Sequence, residues 1–492
     1  MKRVHVLLTA LFTVLSVHLF AQCTFEKTIS GPDDQVINQI IVDGNSNYLM
    51  AGRIKDNETA QTCGYLILLD SCGNLIQEKI MCPNDTISTI FFNALFFDNY
   101  FYILGSVMLS SPDSSKLWYL KFNLNLQIEE EKYLSIPSGR WISYMNSIID
   151  SDTNIVITGY TTRIDSTSSY NNDAYFYKID IEGDSLCSKF CASPDPLYNS
   201  YDIIESPDHS KYYAFVSHFT NTSTGQKLVL SKTFDSLYLD AIPLGIYDFY
   251  SPTLVNDSNI LLCGKRISGL SEEYVLNVIT IDEQSALIDY NFFMKDVKMR
   301  EHPAMYNGVS KNGESIFVAG TSNFSYSNPF WSTFDSWFHL IKINPDITPV
   351  WEYWYGGDAY YFLYSILATH DGGCIMVGNR YDYETQDQER DIYIAKVNSE
   401  GIILWTQEIP FTRGSSIVYP NPGTNSLNVR HEYQESGIEL IDLFGRVVIN
   451  QSIDNQNNTI NTTTLLPGVY FYRLIDKKNN TLETGKWVKQ KN

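Results

Sequence analysis

The sequence lacks the short motifs that identify the common hydrolases and nucleotide-binding enzymes. It contains no H-E-x-x-H zinc motif, no G-x-S-x-G serine turn and no glycine-rich phosphate loop. A C-x-x-C pair is also missing, so the sequence does not indicate a zinc site of paired cysteines. We therefore predict no catalytic residue, no cofactor and no metal ligand, and the balance leans against an enzyme.

Charged residues are scarce, at 18% of the 492-residue chain, and segments that favour helices are hard to find. Tyrosine is abundant instead, with 34 copies, and aromatic and β-branched residues alternate with clusters of Gly, Asn, Asp and Ser. This composition favours an all-β fold. With 44% hydrophobic residues, the chain is long enough to bury more than one core.

Positive charge is scarce relative to negative charge, and the formal net charge is −21. Residues 22–414 hold 25 basic and 49 acidic residues, a net charge of −24, whereas residues 415–492 are nearly neutral. A surface this acidic repels nucleic acid and anionic lipid. We therefore predict no nucleic-acid partner.

Residues 1–21 have the pattern of a signal peptide. A positive start, "MKR", precedes the apolar run "VHVLLTALFTVLSVHLF", and cleavage after Ala21 would leave Gln22 first. Gln22 directly before Cys23 fits a lipoprotein cleavage motif poorly. No later run reaches the roughly 18 apolar residues that a membrane-spanning helix needs, so we predict an exported protein without a transmembrane segment.

The eight cysteines suit an oxidising destination. Cys63, Cys72 and Cys82 lie close together, and so do Cys187 and Cys191. Both groups predict disulfide bonds, although the sequence leaves the pairing open. Cys263 and Cys374 lie inside apolar strand patterns instead. We predict that these two are buried thiols.

One pattern recurs along the chain: a polar turn, a short apolar strand, then a small residue with glycine. Its seven copies, spaced 47 to 58 residues apart, end at Gly52, Gly105, Gly159, Ser217, Gly264, Gly320 and Gly378. Three further strands accompany each copy, giving units of four short strands. Seven such units predict a seven-bladed β-propeller over residues 23–412, with a straight β-solenoid as the alternative shape.

The stretch "TFEKTIS" precedes the first unit and resembles the third strand of the others. We expect it to close the ring by pairing with the last unit. Whether it replaces or supplements the strand "ILWTQEI" of that unit stays open.

The strand pattern changes at "YPNP", where prolines interrupt any central strand. Short alternating strands with Gly or Asn turns follow to the last residue. They predict a small C-terminal β-sandwich over residues 415–492.

This segment resembles the type A C-terminal sorting domain of the type IX (Por) secretion system. The match consists of "YPNP" at 419–422, "LNV" at 427–429, "IDLFGRVV" at 441–448, "LPGVYFYRL" at 466–474 and "TGKWVKQ" at 484–490. Its elements stand in the family's order. The seventh unit, with "DGG" at residues 371–373, also resembles propeller repeats that often precede this tail.

The resemblance implies export through the periplasm and the outer membrane by the type IX machinery. It also implies a sortase-like peptidase that removes the tail, leaving the protein secreted or attached at the cell surface. The positions that match the recognition pattern are Tyr419, Pro420, Asn421, Pro422, Gly445, Arg446, Gly468, Tyr470, Gly485 and Lys486. Glycines that serve turns and a tyrosine that fills a core are the structural alternative for these positions.

Two local features suggest ligand chemistry. "DSDTN" at residues 150–154 has the oxygen spacing of a calcium loop, but similar stretches recur in register and indicate hairpin turns. The long loop "NFSYSNPFWSTFDSW" places Phe330, Trp331 and Phe334 outside the strands, where aromatic rings could stack on sugars or partners. The alternative is a loop that folds back onto its own blade.

These features favour a binding module for glycan or protein on a propeller scaffold. A secreted glycan-active hydrolase is the second hypothesis, because the 49 acidic residues could include a catalytic pair. A structural component of a surface layer is the third.

Overall fold

A computed structural model describes most of the chain. The described residues are 23–83, 86–109, 115–135, 141–164, 170–191, 198–218, 224–256, 258–268, 273–296, 298–385, 389–403, 417–420, 423–430, 436–442, 446–453, 458–477 and 481–490. The predicted signal peptide and most of "ILWTQEI" lie outside them.

The chain divides into two compact regions, a body (Met1–Trp405) and a tail (Thr406–Asn492). The body contains β1 (Phe25–Ile29), β2 (Asp34–Val42), β3 (Tyr48–Lys55), β4 (Thr62–Leu69), β5 (Leu75–Met81), β6 (Thr86–Phe97), β7 (Tyr100–Leu109), β8 (Lys116–Phe122), β9 (Ile128–Ser135), β10 (Trp141–Ile149), β11 (Ile155–Ile164), β12 (Tyr170–Ile179), β13 (Ser185–Cys191), β14 (Tyr198–Glu205), β15 (Lys211–His218), β16 (Thr224–Ser231), β17 (Ser236–Ala241), β18 (Tyr247–Leu254), β19 (Asn259–Ser268), β20 (Glu273–Asp282), β21 (Leu287–Phe293), β22 (Glu301–Pro303), β23 (Val309–Asn312), β24 (Ser315–Ser322), β25 (Trp337–Ile343), β26 (Pro349–Gly356), β27 (Tyr360–Ala368), β28 (Cys374–Tyr381) and β29 (Asp391–Val397).

The tail contains β30 (Ile417–Tyr419), β31 (Ser426–Arg430), β32 (Ser436–Ile441), β33 (Val447–Ile453), β34 (Asn458–Asn461), β35 (Gly468–Ile475) and β36 (Thr481–Lys489). Apart from the 3-10 turn Pro243–Gly245, the elements of the described residues are strands, which confirms the all-β prediction. None of the described residues forms a helix long and apolar enough to cross a membrane.

The body strands form successive antiparallel sets that we number units 1 to 7. Units 1 (β2–β5) and 2 (β6–β9) share one sheet through the single parallel pairing of Thr62 with Ser88. Units 3 (β10–β13), 4 (β14–β17), 5 (β18–β21) and 6 (β22–β26) are separate sheets, and unit 7 consists of β27–β29 with β1 at its edge.

The burial of each strand follows from its place in the unit. The second strand of unit 1, β3, is buried along five consecutive residues, whereas the outer strand β5 alternates between half-buried and exposed positions. An inner strand has packed neighbours on both faces, and an outer strand has solvent on one.

Each recurrent glycine lies where its strand crosses the bulged first strand of the unit. A Cβ on Gly52 would lie 2.0 Å from the carbonyl oxygen of Val36, and one on Gly378 would lie 2.1 Å from that of Phe362. Because only glycine leaves room for this approach, the repeat keeps it. In unit 4 the register is offset, and Ser217 pairs with Asn199, one residue away from the bulge.

Seven apolar clusters lie between units and hold the body together. Six of them join consecutive units, from unit 1 with unit 2 through unit 6 with unit 7. The seventh joins the first unit to the last, since Ile37 and Ile67 pack with Val377 and Ile394. We call this contact between units 1 and 7 the seam.

Strand β1 belongs to the seam. It pairs antiparallel with β29, from Phe25 opposite Lys396 to Ile29 opposite Ile392, as the sequence led us to expect. A disulfide bond between Cys23 and Cys72 ties its start to unit 1. The first strand therefore completes the last unit and is covalently linked to the first.

A second disulfide joins Cys63 to Cys82, and Cys263 and Cys374 are buried thiols, as predicted. Cys187 is a free thiol, so the disulfide prediction is wrong for this residue. Burial raises the pKa of Cys263 and of Cys374 well above the usual thiol range, so both stay protonated at neutral pH.

A row of hydrogen bonds, which we call the polar belt, links the first strands of neighbouring units. Asn93 Nδ2 donates to Asn146 Oδ1 at 2.7 Å, and Asn146 Nδ2 donates to Asp202 Oδ1 at 2.8 Å. The backbone N–H of Ser251 donates to Asp202 Oδ2 at 2.8 Å, and that of Gly308 donates to Ser251 Oγ at 3.1 Å. The belt thus fixes units 2 to 6 side by side.

The calcium-like stretch at residues 150–154 is a hairpin turn. Asp150 Oδ1 accepts the backbone N–H groups of Asp152 and Asn154, at 3.0 and 2.8 Å. Its Oδ2 accepts the Tyr212 hydroxyl and the Lys178 ammonium, at 2.6 and 2.9 Å. The turn needs the aspartate for these bonds, and among the described residues no group of three His, Cys, Asp or Glu could hold a metal ion.

The tail consists of two sheets around one core. The order is β30-β31-β34 in one sheet and β33-β32-β35-β36 in the other. Leu427, Val429, Ile460, Leu474 and Trp487 come from both sheets and are fully buried together. This is the arrangement of a small β-sandwich.

We predict that Gly52→Ala destabilises the body by about 1–3 kcal/mol, because its Cβ would overlap the backbone of β2. The matched control is Gly44→Ala, whose Cβ would meet only Phe96, at 4.0 Å. Chemical unfolding of both variants measures the difference. Equal midpoints for the two would contradict the steric role of the repeat glycine.

We predict that Asp202 makes the body less stable as the pH rises toward neutrality. Burial raises the pKa of this carboxyl to about 7, against about 4 for an aspartate in an unfolded chain. Its contribution to stability is therefore fully present below about pH 4 and is lost as the pH rises through about 7. Melting temperatures from pH 5 to 9 should show this fall in the wild type and not in Asp202→Asn. The same slope in both proteins would show that another group titrates.

Candidate functional site

A cavity of about 490 Å³ opens at the seam, where the turns of units 1 and 7 meet. We call it the seam pocket. It is lined by Cys23, Val42, Asn45, Ser46, Tyr48, Ser71, Cys72, Leu367, Thr369, His370, Asp371 and Lys396. Its volume lies within the range of about 300–1,000 Å³ that is usual for small-ligand sites.

The charges that line the seam pocket neutralise each other. Lys396 Nζ lies 2.8 Å from Asp371 Oδ2 and donates to the carbonyl oxygen of Cys23 at 2.7 Å. Burial raises the pKa of the Tyr48 hydroxyl above its usual range, and the Asp371 charge adds to this. Tyr48 is therefore a neutral hydroxyl at physiological pH, and the charges of Lys396 and Asp371 compensate each other.

The remaining lining divides into an apolar wall and a polar rim. Val42 and Leu367 form the wall together with the disulfide of Cys23, while Asn45 and Thr369 add amide and hydroxyl groups at the rim. Such a mixture suits a small neutral ligand with one apolar face and several hydroxyls.

Sequence reasoning did not find this pocket. Its residues come from positions 23–72 and from positions 367–396, which the fold brings together. The recurrent turns at residues 43–47 and 369–373 were visible, but every unit has such turns. Only the disulfide and the pairing of β1 with β29 distinguish this pair of turns. The β1 pairing was expected, but the disulfide pairing could not be read from the sequence.

The aromatic residues predicted for ligand binding lie on unit 7. Phe330 packs against Phe362, with ring centroids 5.8 Å apart, and Trp331 meets Tyr381 edge-on at 5.1 Å. Phe334 contacts Tyr360 at 5.7 Å and is 39% exposed. These three rings therefore contact unit 7. The same loop also contacts its own unit 6, because Tyr326 donates to the carbonyl oxygen of Glu301 at 2.8 Å and the ring of Phe324 packs against that of His302. Phe330 and Trp331 are half-buried.

A buried charge network holds both ends of this loop. Ser322 Oγ, at the end of β24, donates to the fully buried carboxylate of Glu301, and Trp354 Nε1 donates to Ser322 Oγ at 3.1 Å. His339 lies between Glu301 at 3.2 Å and Glu352 at 2.7 Å. Burial alone would lower the pKa of His339, but the two carboxylates outweigh it and raise this pKa. The histidine thus bridges the two carboxylates, which favour its protonated form.

Two predicted sorting residues have structural roles in the tail. Tyr470 is buried in the core and its hydroxyl donates to the carbonyl oxygen of Leu466 at 2.8 Å. A Cβ on Gly485 would lie 2.3 Å from the hydroxyl oxygen of Tyr472. Both residues are explained by packing within the sandwich.

Other predicted sorting residues lie at the surface. Gly468 has open space around it and no strained backbone angle, so packing does not require a glycine there. Arg446 is exposed and pairs with Asp442, and Lys486 is exposed as well. Pro420 accepts a hydrogen bond from Trp487 Nε1 at 2.8 Å through its carbonyl. These exposed positions are accessible to the secretion machinery that recognises the tail.

The remaining sorting residues are not all described. Tyr419 lies in β30, where its backbone pairs with that of Asn428. Asn421, Pro422 and Gly445 lie outside the described residues.

Comparison with solved structures gives distant likenesses. A puromycin hydrolase mutant matches 90% of this chain over 59% of its own, at 8% identity and a TM-score of 0.47. The β-propeller domain of the Trilobed protease from Pyrococcus furiosus matches 79% of this chain over 99% of its own length, at 9% identity and a TM-score of 0.42. The acylaminoacyl peptidase of Pyrococcus horikoshii matches 81% of this chain over 58% of its own length, at 9% identity and a TM-score of 0.43. At these scores the likeness says nothing about activity.

No curated protein matches the chain. Residues 417–490 match the family described as the secretion system C-terminal sorting domain, which confirms the resemblance of the tail. The chain thus carries the sorting domain of the type IX secretion system, which directs it to the cell surface or the extracellular space.

Proposed function

We propose that this exported protein is a recognition module that binds a neutral saccharide in the seam pocket. The observation that carries the proposal is the pocket itself, with its compensated charges, its apolar wall and its hydroxyl and amide rim. A neutral sugar offers a matching apolar face and ring of hydroxyls.

We infer that the body is a closed seven-bladed propeller. The cluster between units 1 and 7 and the pairing of β1 with β29 support closure, since an open solenoid would leave its end units unpaired. Tyr306 of unit 6 also packs with Met145 and Tyr201 of units 3 and 4, which are neighbours only across a ring.

The seam pocket favours binding over hydrolysis, because its lining has too few carboxyl groups for glycoside hydrolysis. Glycoside hydrolysis needs two carboxyl groups that flank the scissile bond. Asp371 is the one carboxylate in the lining, and Lys396 lies 2.8 Å from it and helps to hold its pKa below the usual range. An ion-paired single carboxylate suits binding and not acid–base catalysis.

The export route determines where the proposed recognition module is delivered. The type IX machinery recognises the tail, and we infer that a sortase-like peptidase then removes it and leaves the body released or surface-attached. One disulfide within unit 1 and a second that links β1 to unit 1 fit a protein that folds in the oxidising periplasm.

We predict that Asn45→Trp weakens saccharide binding at least about tenfold, because the exposed rim residue would then block the seam pocket. The matched control is Asn125→Trp, at the same position of a similar aspartate- or asparagine-capped turn in unit 2. A glycan screen on the mature chain, scoring binding and product release together, supplies the ligand.

Each outcome of this screen has a clear meaning. Unchanged binding by Asn45→Trp would refute the seam pocket as the site, and a loss confined to Trp331→Ala would move the site to the loop of unit 6. Release of products would favour the hydrolase hypothesis instead.

We predict that Gly468→Gln reduces export while leaving the tail folded, because this position is open and exposed. Gly485→Ala should lower the melting temperature of the tail as well, since its Cβ would overlap Tyr472. Secretion assays compare both variants with a deletion of residues 415–492, which should hold the body in the periplasm. Wild-type export of Gly468→Gln would show that this surface is not read.

A further inference from the structure

The opposite end of the seam presents a second site that does not depend on the proposed function. We propose that it binds the anionic group of an acidic saccharide, a carboxylate or a sulfate ester, on Arg53 with the charge of Arg390 behind it. We call this the arginine site, formed by Arg53, Arg390, Tyr306 and Tyr364.

Arg390 is built into the seam by a bidentate ion pair. Its Nε and Nη2 donate to the two carboxylate oxygens of Asp34 at 2.7 and 2.6 Å, so that unit 7 is joined to unit 1. Its side chain is 6% exposed, and its Nη1 has no hydrogen-bond partner among the described residues. The rings of Phe330 and Trp331 lie over this guanidinium, 5.1 and 4.8 Å from it.

Arg53 lies at the same end of the seam, on β3 opposite Val36. It is half-buried, and within the described ranges its guanidinium has no ion pair or hydrogen bond. Holding a half-buried cation without a partner is unfavourable, because part of its hydration is lost without compensation. A ligand with a negative charge would supply the missing partner.

Two tyrosines connect the arginines. Tyr364 lies within the electrostatic reach of Arg390, Arg53 and Asp34, and Tyr306 within that of Arg53. The rings of Tyr306 and Tyr364 are stacked, with centroids 6.0 Å apart and 17° between their planes. Burial raises the pKa of both hydroxyls, which therefore remain neutral groups that can donate hydrogen bonds.

The balance of charges selects an anion. Two guanidinium groups stand against one carboxylate, Asp34, which is already paired, so the site carries about one unit of positive charge in an otherwise acidic body. Guanidinium groups bind carboxylate and sulfate oxygens through paired N–H donors. The surrounding aromatic rings, including Tyr160 and Tyr201, suit the flat faces of a sugar.

The test uses the mature full-length chain and a defined probe. Isothermal titration at low salt compares a galacturonic-acid oligomer with a neutral galactose oligomer of equal length. We expect saturable binding of the acidic oligomer that weakens as sodium chloride is raised, whereas any binding of the neutral oligomer in the seam pocket should not respond to Arg53→Gln. Arg53→Gln should weaken it about 10- to 100-fold, the usual loss for a charge-assisted hydrogen bond.

The control is Lys55→Gln, which removes the same charge two residues along β3 at an exposed position and should leave binding unchanged. Melting curves establish that both variants are folded. A sulfated oligosaccharide distinguishes the two anions, and binding of either one supports the site. Insensitivity of acidic-oligomer binding to Arg53→Gln, binding of an acidic peptide alone, or no binding of any acidic saccharide would overturn the proposal.

Substitutions at the two sites should affect the two binding activities independently. Asn45→Trp blocks the seam pocket and should not change binding of the acidic oligomer, whereas Arg53→Gln should not change binding of a neutral sugar. Loss of both activities in one variant would contradict the separation of the sites.

Discussion

The joining of the first and last units is the contact on which the body depends. Strand β1 supplies the edge strand of unit 7, and the ion pair of Asp34 with Arg390 fastens the opposite end. A single four-stranded unit cannot bury both of its faces, so the end units would expose their cores without this contact. The disulfide of Cys23 makes the same connection covalent.

The seam also explains why candidate ligand sites gather there. Elsewhere consecutive units pack through apolar clusters that lie between their sheets. At the seam the chain must cross from one unit to the other, and the crossing leaves the seam pocket at one end. At the other end it leaves buried charge, with Arg390 beneath the aromatic loop of unit 6 and Arg53 beside it. Rigid surroundings let such sites keep their shape without a ligand.

The tail solves a different physical problem. It needs a stable core within about 75 residues, which Trp487 and Tyr470 supply, while leaving a surface that the secretion machinery can recognise. Its family pattern therefore mixes positions of two kinds. Gly485 is required by the packing of Tyr472, whereas Gly468 is not required by any neighbour. The motif alone does not show which of its positions are required for folding and which are recognised by the secretion machinery.

The sequence by itself determined the strands, the units, the repeat glycines, the pairing of β1 with the last unit and the destination of the protein. These properties are local, because strand alternation, turn residues and family motifs are read within a few dozen positions. Only the tertiary structure decided the disulfide pairing, the seam pocket and the arginine site. Asp34 and Arg390 are 356 residues apart, and no local pattern indicates that they meet. The same holds for the loop of unit 6. Its aromatic residues can be identified in the sequence, but their contacts with unit 7 depend on the tertiary structure.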